Sequence, residues 1–97
     1  MKQPIKKSIV KAIARYLQKS IAQQDATQRG VCGLDLDQYA KRADKALARM
    51  SEVTWREGLR VERAYDSNPF APDMIVYDLQ CKAIARYTTN QLMEVLR

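Results

Sequence analysis

Five apolar residues, Ile5, Ile9, Ile13, Leu17 and Ile21, recur at every fourth position near the start of the chain, and nothing else in the sequence restricts the fold as much. With Val10, Ala12, Ala14 and Tyr16 beside them, they define one face of an α-helix over about residues 4–24. Pro4 suits its first turn, where a proline forfeits no intrahelical hydrogen bond.

The back of the same helix carries a second pattern. At about 100° per residue, the run Lys7, Lys11, Arg15, Lys19 lies about 200° from the apolar run, so a basic stripe tracks behind it. Residues 1–24 hold six Lys or Arg and no Asp or Glu, whereas the rest of the chain holds eleven of each, so the net charge of +6 resides wholly in the first segment. An asymmetry confined to one element points to a face meant for an anion. A merely solvated face would more cheaply carry Glu and Lys paired at i, i+4.

Downstream, Thr27, Gly30 and Gly33 mark residues 25–34 as a loop, and its Gly-Val-Cys-Gly is no phosphate loop because no Gly-Lys-Ser/Thr follows. Asp35 is placed to cap a second helix over about 35–51, with Leu36, Ala40, Ala43, Leu47 and Met50 on a seam poor in bulk that lets a neighbour approach closely. Beyond Ser51 two readings stand: a capping box at Thr54 and Glu57 that carries helix on to 65, or a small hairpin in which Val53, Trp55, Leu59 and Val61 alternate around Glu57 and Gly58. Two prolines break the chain over 66–73, where Phe70 is a candidate core plug.

Residues 73–96 read as a last helix, with Met74, Tyr77, Cys81, Ile84, Thr88, Leu92 and Val95 on one stripe. Ile75, Val76 and Leu79 lie outside that stripe, which makes them the candidate self-association surface, with a homodimer the simplest outcome. The hexapeptide Lys-Ala-Ile-Ala-Arg-Tyr occurs at 11–16 and again at 82–87 and reads as convergence on a helical surface. The expected fold class is therefore all-α: one small three-helix domain over 1–97, with a minor hairpin as the variant.

Function is bounded first by absences. The chain has no histidine, which excludes Ser/His/Asp and Cys/His chemistry and His-ligated zinc, and two cysteines 49 residues apart in no CxxC cannot make a structural zinc site. Cys32 and Cys81 read as buried thiols in a reducing compartment. The acids are interleaved with Lys and Arg and offer no isolated carboxylate pair. No catalytic, cofactor or metal site is expected. No apolar run approaches 18 residues and lysines fill the first eleven, so a cytoplasmic protein with no membrane partner is expected.

The reading that remains is a non-catalytic binding protein. Its anion site would comprise Lys7, Lys11, Arg15 and Lys19, joined by Arg56, Arg60 and Arg63 with Trp55 and Tyr65 among them, and its partner would be nucleic acid or a nucleoprotein. The alternative is a protein-interaction module, an adaptor, regulator or phage- or plasmid-type inhibitor, bound to an acidic protein surface. Loops as long as 25–34 and 66–73 speak against a helix-turn-helix.

Overall fold

In a computed structural model, which describes residues 5–64 and 68–97, the chain opens with two long helices, α1 (Lys7–Gln28) and α2 (Gly33–Arg56). At 1.5 Å per residue they are about 33 and 36 Å long. Each stops on a glycine with positive φ, Gly30 at +82° and Gly58 at +67°. Behind α1, the Gly30 N–H reaches the Thr27 carbonyl and the Val31 N–H that of Ala26. Behind α2, the Gly58 N–H reaches Trp55 and the Leu59 N–H reaches Thr54. This paired bonding closes the last turn only where the chain can enter the left-handed region without a side chain in the way.

The connection between the helices is four residues, 29–32, far shorter than the expected loop 25–34. The turn is thus as short as that of a helix-turn-helix. The two helices nevertheless run antiparallel and pack along their length, early turns of α1 beside late turns of α2, which is a helical hairpin and not the near-perpendicular crossing of that motif. Helix α2 begins at Gly33, so Asp35 lies in its first turn and Cys32 takes the cap position without a side-chain bond.

After α2 come three short strands, β1 (Arg60–Arg63), β2 (Met74–Tyr77) and β3 (Ala83–Tyr87), and a closing helix α3 (Thr89–Val95). The strands form one antiparallel sheet in the order β1-β2-β3, with Val61 opposite Val76 and Val76 opposite Ala85, and a bulge at Ile84. Helix occupies 59% and strand 14% of the described residues, so the protein is mixed α/β and the all-α expectation is overturned.

The error lies mostly in 73–96. Its apolar spacing of three and four residues fits a helix stripe, yet Asp78 makes a turn in the middle of it. The Asp78 carboxylate accepts from the N–H groups of Gln80 and Lys82, and Cys81 adopts φ +61°. No Gly or Pro announces this turn, and it converts the stripe into a β-hairpin. At 52–65, helix runs only to Arg56, and Glu57 and Gly58 end it without starting a local hairpin. β1 pairs instead with the distant β2.

One face of the sheet is buried. Met74 and Val76 meet Ile9, Ile13 and Leu17 of α1, Met50 of α2 and Leu92 of α3 in the core, and each of those large aliphatic side chains contributes about 2 kcal/mol by leaving water. The isoleucine face of α1 is thus buried, as its periodicity predicts, and it lies at the centre of the fold. Phe70 is 40% exposed and does not plug the core. Both cysteines are free and exposed, which corrects the expectation of buried thiols. Tyr65, expected beside the arginines, and Pro4, expected in the first turn of α1, lie outside the described residues.

Candidate anion-binding groove

Because the core claims Ile9, Ile13 and Leu17, the opposite side of α1 is left to water, and Lys7, Lys11 and Arg15 are exposed there with Lys19 half-buried. Beside that side runs α2. Between the two helices lies an open groove of about 550 Å³ lined by Lys11, Arg15 and Lys19 from α1 and Arg42, Lys45 and Arg49 from α2. Ala12, Ala46 and Val53 supply its apolar surface, and Ser8 and Gln18 complete it. No Asp or Glu is among the lining residues.

The charges on the groove are largely unneutralised. Among the described residues, Lys11, Arg15, Lys19 and Lys45 form no ion pair, and Arg49 reaches Glu52 only at 3.7 Å. Arg42 stands 6.0 Å from the centre of the Tyr39 ring, at the outer limit of a cation–π contact. Six cations within two helix widths repel one another, and exposure to water is what makes the arrangement tolerable. A polyanion entering the groove would relieve that repulsion.

Only part of the sequence-derived site assembles. Lys11, Arg15 and Lys19 converge on the groove, but Lys7 does not line it. The reason is helical geometry: a run with a four-residue repeat drifts about 40° per step, so Lys7 and Lys19 stand about 120° apart around α1. Arg56, Arg60 and Arg63 are not a helical stripe. Arg56 closes α2 and is paired with Glu52. Arg60 lies on β1, paired with Glu62, its guanidinium 4.7 Å above the Tyr77 ring. Arg63 is half-buried and donates to the Ser20 hydroxyl of α1, so it fastens the sheet to the helix.

Sequence reasoning missed Arg42, Lys45 and Arg49 because α2 sums close to neutral, with five cations against four acids. At about 100° per residue, Asp37 and Asp44 fall about a third of a turn away from those three cations, but Asp35 and Glu52 each lie within about 20° of one of them. A helical wheel of α2 therefore shows a mixed face, and only the packing of α2 against α1 selects Arg42, Lys45 and Arg49 for the groove.

The proposed self-association surface does not exist as one face. Val76 is fully buried in the core, while Ile75, the next residue of the same strand, points to the other side of the sheet and is half-buried. Leu79 is 85% exposed in the β2–β3 turn, against Gly58. A strand sends neighbouring side chains to opposite faces, so residues that adjoin on a helix wheel are separated here.

Comparison with known proteins finds no matching protein family, no similar curated protein and no similar solved structure. No helix among the described residues is long and apolar enough to cross a membrane.

Proposed function

We propose that this is a non-catalytic binding protein that holds nucleic acid, free or within a nucleoprotein, in the groove between α1 and α2. The observation that carries the reading is the convergence of six cations from two helices on one groove whose lining contains no carboxylate. Phosphate neutralisation is the dominant source of affinity for nucleic acid, and it requires this kind of clustered, exposed Lys and Arg. The groove's remaining polar side chains are one serine and one glutamine, which suit positioning more than chemistry. Two exposed free thiols fit a reducing compartment such as the cytoplasm.

The test is a titration of fluorescent oligonucleotides, single- and double-stranded, at low salt against the protein and against a variant carrying Arg15→Glu, Arg42→Glu and Arg49→Glu. All three side chains are exposed, so the variant is expected to keep its circular dichroism spectrum and lose binding by a hundredfold or more. Absence of binding to every oligonucleotide at low salt sinks the reading. So does a variant that binds as well as the parent.

A further inference from the structure

The nucleic-acid reading leaves open which form of nucleic acid the groove accepts, and the placement of the charges answers that. We infer, resting on that reading, that the groove takes a single strand, its sugar-phosphate backbone threaded lengthwise between the two rows of cations. Three observations converge on it.

The first is spacing. Lys11, Arg15 and Lys19 follow one another at four-residue intervals along α1, a rise of about 6 Å per step, which suits successive phosphates on a strand near full extension. Arg42, Lys45 and Arg49 repeat at similar intervals on the opposite wall. Each row therefore extends over about 10–12 Å, room for three consecutive phosphates with one cation from each side.

The second is shape. The cations line a cleft, and packed helices stand with axes about 8–10 Å apart. A duplex is too broad to enter such a cleft and would rest on its rims. Recognition of a duplex by a helix works the other way, with a convex helix entering the major groove. The convex back of α1 would then use Lys7, which the groove leaves out.

The third is chemistry. No aromatic ring lines the groove, so stacking does not select bases, but Ala12, Ala46 and Val53 give sugars and base faces an apolar surface, and three of the six cations are arginines able to lie flat on a base. The binding is accordingly weakly dependent on sequence.

The experiment compares ten-nucleotide oligothymidylate and oligouridylate with a mixed-sequence ten-base-pair duplex over a range of salt. Single strands should bind at least tenfold tighter than the duplex, with log affinity falling against log salt at a slope of about −2, from roughly −0.7 for each of three phosphates. Two triple variants separate the walls: Lys11→Gln, Arg15→Gln and Lys19→Gln together on α1, and Arg42→Gln, Lys45→Gln and Arg49→Gln together on α2. Each should weaken single-strand binding by tenfold or more and flatten the salt slope, with the thermal midpoint unchanged within a few degrees. Whichever of the two sugars binds tighter names the source of the strand, and either supports the proposal. A duplex that binds as tightly as a single strand, or an α2-wall variant that binds like the parent, overturns the strand proposal while leaving nucleic-acid binding in place. Failure of all three probes at low salt removes both.

Discussion

Cys81 is the one non-glycine among the described residues with positive φ, at +61°. Its β-carbon costs about 1–2 kcal/mol in that conformation, and the greater chain entropy of an unfolded glycine takes back about 0.5–1 kcal/mol. Since the thiol is exposed and free, Cys81→Gly should stabilise the protein by about 0.5 kcal/mol. The check is a higher denaturant midpoint at an unchanged slope, and a lower midpoint would mean that the thiol makes a stabilising contact. Tyr87 offers a second residue-level test. Burial holds its phenol above the usual value, which lies near 10, so the folded state keeps that proton more tightly than the unfolded one. The stability this lends is complete below about pH 10 and is lost as pH climbs through the folded-state value. An alkaline absorbance titration should contain a late component from Tyr87, and Tyr87→Phe should remove it.

At the scale of elements, the helix ends and the capping box are the features that can be tested one by one. Gly30 and Gly58 both end helices with positive φ; a β-carbon at Gly30 meets nothing within 4 Å, whereas at Gly58 it comes to 3.3 Å from the Leu79 side chain. Leu79 is 85% exposed and free to swing aside. Gly30→Ala and Gly58→Ala should therefore cost about the same, roughly 0.5–1 kcal/mol each, the backbone strain less the unfolded-state entropy of glycine. A much larger loss at Gly58 would show that Leu79 is fixed in place. Helix α3 is only seven residues long and depends on its start, where the Thr88 hydroxyl accepts from the Gln91 N–H and the Gln91 side chain accepts from the Thr88 N–H. Thr88→Ala should destabilise the fold by about 1 kcal/mol, because Leu92, one turn into α3, is fully buried in the common core.

Taken as a whole, the molecule measures 47 × 27 × 25 Å, its length set by the α1–α2 hairpin. The end of that hairpin nearest the sheet is held by Ile9, Ile13, Leu17 and Met50 in the core, whereas farther out the buried apolar residues are Ala26 and Ala43. Alanines bring the helices close but bury little surface, so the outer turns should open before the rest. Hydrogen exchange should find amides of about residues 22–40 exchanging with a free energy below that of global unfolding, while those of β2 and the middle of α1 exchange only globally. Uniform protection along both helices would refute this. The groove lies along the inner part of the hairpin, between residues 8–19 and 42–53, where the core holds both helices still.

How much of this was written in the sequence depends on the range over which each decision is made. The first helix, its buried face and its basic back follow from residues within a few turns of one another, and they could be read directly. The hexapeptide shared by 11–16 and 82–87 shows where such reading stops. In its first copy it lies inside an uninterrupted 22-residue helix; in its second it is strand β3, enclosed between the Asp78 turn and the Thr88 cap. Between those two boundaries there is room for a five-residue strand but not for a stable helix, whose nucleation is costly. Half of the candidate site was likewise legible, as the α1 stripe. The other half was hidden because α2 is nearly neutral in sum, and because cations on two helices become neighbours only when the hairpin closes. The sequence by itself determined the first helix and the sign of its exposed face. The pairing of distant strands, and the groove in which two rows of charge meet, were decided only by the tertiary structure, since both depend on contacts between segments that no local pattern relates.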